Sequence, residues 1–251
     1  MCKIASHAED PNTTTTPPIS PPADLSFIPP NPICLKAYTH ASTHLAPAIL
    51  SHSIRVFLYA RHIANLPLPS SFKDFAWSRR SAENQETLIF IAALFHDIGT
   101  CDNFDGDERF EVCGADAAVN FMKDEEQGAG KGMGASARDD VWTAVACHTS
   151  AGIAENIAPL ARIIRLAVLC DFDRVGIREE LMVLGMVGEM EGRFERRDIE
   201  RVLGEAVVGQ IRRREGGRRD RKAPGNSWPG GLWRGAVEMR EKGLDGVNIY
   251  F

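Results

Sequence analysis

The run Leu88-Ile89-Phe90-Ile91-Ala92-Ala93-Leu94-Phe95 contains no polar side chain and gives way at once to His96-Asp97-Ile98-Gly99-Thr100. Extended back to Glu86, it reads as a helix without a polar face, which has to be buried, so the rest of the chain must fold around it. Gly99 reads as its stop signal. An imidazole and a carboxylate at the buried end of such a helix are costly unless hydrogen bonds or a cation compensate them. A capping pair and a metal site both meet that demand, and this dipeptide alone leaves the two open.

Three further residues bear on the choice. His52 lies in Ser51-His52-Ser53-Ile54-Arg55-Val56-Phe57, His148 in Ala146-Cys147-His148-Thr149-Ser150, and Asp171 ends the apolar run that starts at Ile163. Each sits on or beside an apolar pattern of helical period, so all can point into one bundle core. Neutral imidazole nitrogens and carboxylate oxygens suit zinc, iron or manganese.

The spacing predicts a short helix over 34–48 that Pro47 ends, then a helix from His52 to about Ala64 capped by Ser51, with Arg55 one turn beyond His52 on the same side. Residues 67–81 read as a loop whose Phe72, Phe75 and Trp77 either shape the mouth of a site or anchor the core. Residues 100–107 read as a turn-rich loop and 108–123 as a helix. The glycine-rich stretch 128–134 lacks the order of a phosphate loop and any preceding strand, so it reads as a connector. Asp139 or Asp140 starts the helix that carries His148, residues 159–173 form the next, and 178–210 are again helical. With no period-2 pattern and no internal repeat, the expected fold class is all-α, one helical domain over 34–251. Residues 1–33, with their proline pairs and the Thr13–Thr16 run, are expected to be a disordered lead-in.

The 251 residues are 44% hydrophobic with a net charge of -5, enough to bury one core and without a general attraction for nucleic acid or an anionic membrane. The arginine-rich segment 212–222 is a local exception; it has no interleaved aromatics and reads as a solvated, glycine-broken loop. Six cysteines without a CxxC pair argue for free thiols in a reducing compartment, hence a cytoplasmic protein. Cys147 and Cys170, which precede His148 and Asp171, read as packing residues rather than nucleophiles. No apolar signal segment opens the chain, and no uncharged stretch is long enough to span a membrane.

The order His52, His96-Asp97, Asp171 resembles the metal-dependent HD-domain hydrolase superfamily over roughly residues 35–175. Reading outward, Ser51 to Phe57, His96 to Thr100, Arg109-Phe110-Glu111-Val112 with Gly114 to Ala118, and Ala146 to Ser150 with Gly152-Ile153-Ala154 look like the HD-type cyanamide hydratase family and its fungal and bacterial relatives. The tail pieces Ser227-Trp228-Pro229-Gly230 and Gly246-Val247-Asn248 are similar as well. The resemblance implies an HD bundle in which His52, His96, Asp97 and Asp171 hold one divalent ion, zinc first and iron second, that activates water. It implies a hydro-lyase that adds water to the nitrile carbon of cyanamide and yields urea. In this reading Asp97 serves catalysis as well as the metal, and His148 positions substrate or moves protons unless it is a structural histidine behind the ligands. Thr100 either bonds the substrate or serves as a turn residue. Arg55, Arg109 and Glu111 either orient ligands or form buried ion pairs. His40, His44 and His62 receive no role.

The implied partner is a small-molecule substrate, with no nucleic acid and no membrane; a homo-oligomer stays open. Two further readings compete. An HD phosphohydrolase acting on a nucleotide or phosphomonoester would use the same metal shell, but it needs cationic recognition of phosphate that the motif neighbourhood does not concentrate. A catalytically silent HD domain that binds a ligand is the other, and the intact His and Asp set counts against it.

Overall fold

Proline opens several helices, since its fixed φ and missing N–H suit a first helical turn. The computed structural model describes residues 25–67, 69–72, 76–129, 133–172 and 176–243. Helix α1 is Pro32–His44, with Asn31 accepting from the Ile33 N–H as its cap, and α2 is Pro47–Ile63. Because Pro47 begins α2 rather than ending α1, His52 lies in the second turn and Ser51 sits inside the helix instead of capping it. Helix α3, Ala82–Phe95, is capped by Ser81 and buries every side chain from Thr87 to Phe95, as its uniformly apolar sequence requires. It packs against α1 and α2 and, on its other sides, against α4 (Phe110–Ala129), α5 (Ala135–Cys147) and α7 (Pro159–Asp171), the last two flanking the short α6 (Ala154–Ile157). Each buried Leu, Ile or Phe of α3 contributes about 1.5–3 kcal/mol of hydrophobic stabilisation.

Beyond α7 the expected helical stretch is broken into α8 (Ile177–Glu180), α9 (Leu184–Arg193) and α10 (Ile199–Arg212). The breaks fall where Met182, Arg197 and Asp198 take positive φ. Helix α5 starts at Ala135, after Gly134 with φ 85, so Asp139 and Asp140 lie within it; Asp140 pairs with Arg80 instead of capping. Among the described residues there is no strand, and no helix is long and apolar enough to cross a membrane. The all-α expectation therefore holds.

Most of the main core runs from Phe27 through α1, α2, α3, α4, α5 and α7 to Leu203 of α10. Phe27 is buried against the rings of Tyr38 and Phe194 and α1 starts at Pro32, so these residues of the expected lead-in are packed; residues 1–24 lie outside the described residues. Phe72 and Trp77 are core anchors at 2% exposure, while Phe75, residues 130–132 of the glycine-rich connector and Gly246-Val247-Asn248 lie outside the described residues. A smaller apolar cluster joins Phe110 to Val207, Val208 and Ile211 of α10 and Leu232 of α12 (Trp228–Glu241).

The arginine-rich segment is glycine-broken and largely exposed, as expected, but it is not all loop. It contains α11 (Gly217–Lys222), and its cations grip the acidic residues of the 102–108 segment. Lys222, 2% exposed, donates to Asp105 Oδ1 at 2.7 Å and to the Gly106 carbonyl at 3.0 Å. Arg213 reaches Asp102 and Asp105, Arg214 reaches Asp105 and Asp107, and Arg221 pairs with Glu108. Most of the segment's positive charge is thus paired with one loop, while Arg219 lies over the Trp233 ring.

Candidate metal centre

Helices α3 and α5 end in the same way. His96 follows the last residue of α3 and bonds through Nδ1 to the Ala93 carbonyl at 2.7 Å; His148 follows α5 and bonds through Nδ1 to the Val145 carbonyl at 2.7 Å. Each ring thereby satisfies a carbonyl that the helix end leaves orphaned. A carbonyl only accepts, so the proton sits on Nδ1 and a neutral ring keeps its lone pair on Nε2. Capping and metal binding are thus complementary uses of the two nitrogens.

His52 reaches the same state by another route. Its Nδ1 lies 2.7 Å from Asp171 Oδ2, which leaves Nε2 for the interior. Asp171 closes α7 and is held in turn by Arg55, whose Nε and Nη2 donate to Oδ1 and Oδ2 at 2.7 and 2.8 Å. Arg55, fully buried, spends its remaining donors on the Phe194 and Glu195 carbonyls. Arg178 and Arg196 donate to the Asp171 carbonyl, placing cations at the negative end of α7.

The three Nε2 atoms converge on Asp97. His96 Nε2 is 3.0 Å from Asp97 Oδ2 and 3.1 Å from His52 Nε2; His52 Nε2 lies 3.5 Å from Asp97 Oδ2, and His148 Nε2 3.5 Å from Asp97 Oδ1. Ligand atoms of His52, His96 and Asp97 all fall within 4.8 Å of one another, and Asp97 Oδ2 is buried without a hydrogen-bond partner. Lone pairs facing lone pairs at buried positions call for positive charge between them. The titration directions express the same demand. Burial pulls His96 down, yet neighbouring Asp97 outweighs it and the net shift is upward; burial pushes Asp97 up, yet His96 and His148 hold it well below the carboxylate range. His52 is lowered, burial prevailing over its bond to Asp171. A divalent cation with imidazole and carboxylate ligands suits this donor set.

The structure brings His52, His96, Asp97, His148 and Asp171 together, with Asp171 behind His52 and both its oxygens occupied. Thr100 instead donates to the Asp97 carbonyl at 2.6 Å, and it does not line the cavity beside the cluster, so it serves as a turn residue. Gly99 earns its place by close packing rather than by ending the helix: a Cβ there would collide with the Phe110 carbonyl and lie 2.8 Å from the Gly114 nitrogen. Cys170 is buried and Cys147 half-buried, both outside the cluster, and burial raises the Cys147 thiol. His62 bonds the Leu181 carbonyl, and His40 and His44 stack among Phe95, Phe104 and Phe121 away from the site.

A cavity of about 650 Å³ opens onto the cluster. Arg109 and Arg165 are on its wall, and both are compensated. Arg109 is paired with the fully buried Glu111, which also accepts from Thr149; Arg165 pairs with Glu155 and donates to the His148 carbonyl. Sequence reasoning missed Arg165, Phe172, Leu203 and Asn226 as lining residues. Only Arg165 carried a signal, a charge interrupting the apolar run of α7; the others reach the cavity through packing of segments remote in the chain.

The family model described as HD domain matches residues 49–171. No curated protein matches the chain. The matched span contains all five residues of the cluster, and residues 49–171 of this chain are an HD domain.

Proposed function

We propose that this protein is a metal-dependent hydro-lyase that adds water to a nitrile carbon, with cyanamide giving urea. His52, His96 and Asp97 would hold the ion. Asp171, which the resemblance implies as a fourth ligand, engages Arg55 and the Nδ1 of His52, so its part in the proposal is to orient that ring. Bound there, a divalent ion supplies Lewis acidity and makes water a better nucleophile at neutral pH. His148 presents Nε2 to the cavity and to Asp97, where it can pass a proton from the attacking water to the nitrile nitrogen. Water adds across the C≡N bond: the carbon gains the oxygen, the nitrogen gains the protons, and nothing leaves.

The observation that carries this reading over phosphate-ester hydrolysis is the charge state of the cavity. Both arginines on its wall are already neutralised by Glu111 and Glu155, which favours an uncharged substrate over an anionic phosphate. Full-length protein loaded with zinc or iron is expected to release urea from cyanamide and no phosphate from nucleoside monophosphates, with Asp97→Ala as the control for contaminants. Phosphate release without urea would sink the hydratase reading and leave the HD fold untouched.

A further inference from the structure

Cyanamide has three heavy atoms, about the bulk of two waters at roughly 30 Å³ each, whereas the cavity measures about 650 Å³. Space on that scale is what sites for much larger ligands provide, about 300–1,000 Å³. The lining shows what would fill it. Val168, Leu169 and Phe172 come from α7 and the residue that follows it, Leu203 from α10, Trp228 from α12, and Ile153 sits on the rim at 56% exposure. Phe172 lies beside His52 with ring centroids 4.8 Å apart and the planes tilted by 43°. Trp228 meets Phe110 edge-on at 5.9 Å, and Phe110 meets His148 at 5.7 Å. Apolar and aromatic surface therefore adjoins the polar cluster through both His52 and His148. Leu203 and Trp228 lie beyond the HD domain, so the helices that follow it complete this wall.

We propose that the site takes a substrate carrying an apolar substituent of about the size of a phenyl ring next to its reacting group; on the hydratase reading above, an aryl or branched alkyl cyanamide. The substituent packs between Phe172 and Trp228 while the reacting group faces Asp97 and His148. Among the described residues the two arginines of the wall are already paired with Glu111 and Glu155, which disfavours an acidic substituent. For phenylcyanamide the reaction balances as it does for cyanamide: one water is added, a carbon–oxygen bond forms, two protons end on the former nitrile nitrogen, and phenylurea results.

Binding tests this proposal and turnover tests the hydratase reading, so the two can fail separately. Calorimetry on zinc-loaded full-length protein should find phenylurea bound about 10- to 100-fold more tightly than urea, the gain expected from burying a ring of that area. Trp228→Ala should lose most of that advantage. Val168→Phe, which fills the cavity from α7 and does not depend on the packing of α12, should lose it as well. Equal affinity for urea and phenylurea, or an advantage that survives Val168→Phe, would overturn the proposal even if cyanamide is hydrated. Selective phenylurea binding without hydration of either cyanamide would uphold the apolar subsite and overturn the hydratase reading.

Discussion

The cluster around Asp97 and the clasp around Asp105 both bury a carboxylate, and they satisfy it in opposite ways. At Asp105 donors meet acceptors: Lys222, Arg213 and Arg214 surround the carboxylate, and the two backbone carbonyls beside it also accept from them. At Asp97 the Nε2 atoms of three imidazoles crowd one carboxylate, and one of its oxygens has no hydrogen-bond partner. Matched charge is a structural joint, here between the segment after the HD dipeptide and the C-terminal helices. Unmatched lone pairs at buried positions mark a candidate cation site.

The largest effect should separate ligand from orienting residue. Asp97→Ala is expected to lose its metal and its activity together. Asp171→Asn removes a residue that stands behind His52, so metal affinity should fall about 10- to 100-fold without vanishing. Elemental analysis and a competitive chelator titration read both. An Asp171→Asn protein as metal-free as Asp97→Ala would make Asp171 a direct ligand.

His148→Ala should keep its metal and lose on the order of 100- to 10,000-fold in turnover, the usual contribution of a positioned acid–base group. A folded but metal-free His148→Ala protein would move His148 among the ligands.

Away from the site, the clasp should affect stability alone. Asp105→Ala leaves the buried Lys222 ammonium with only the Gly106 carbonyl, a loss of about 2–3 kcal/mol in stability at neutral pH. Burial pushes the Asp105 carboxyl up, but Lys222 and Arg213 hold it below its usual value. With the folded pKa below the unfolded one of about 3.9, the contribution is complete above that pH and lost as pH falls through the folded value. Urea melts should therefore show a constant gap between wild type and Asp105→Ala from about pH 6 to 8 that narrows below about pH 4. A gap that widens on acidification would contradict the clasp.

Local pattern alone carried much of this molecule. The uniformly apolar Leu88–Phe95 run could only be a buried helix, and His52, His96, Asp97, His148 and Asp171 stood out because ionisable residues are costly in apolar surroundings. Helix starts were less legible: Pro47 and Gly134 open helices where Ser51 and Asp139 or Asp140 seemed to, since both kinds of signal occur at helix ends and only packing chooses between them. Tertiary structure alone decided that Asp171 spends its oxygens on Arg55 and His52, that Thr100 turns away from the cavity, and that the arginines of 212–222 grip 102–108. It also decided that Leu203 and Trp228 wall a site whose polar residues lie far earlier in the chain. Periodicity reports which face of an element is buried, because that follows from spacing along one helix. Which donor meets which acceptor depends on residues more than a hundred positions apart, such as His52 with Asp171 or Asp105 with Lys222, and no local pattern encodes that pairing.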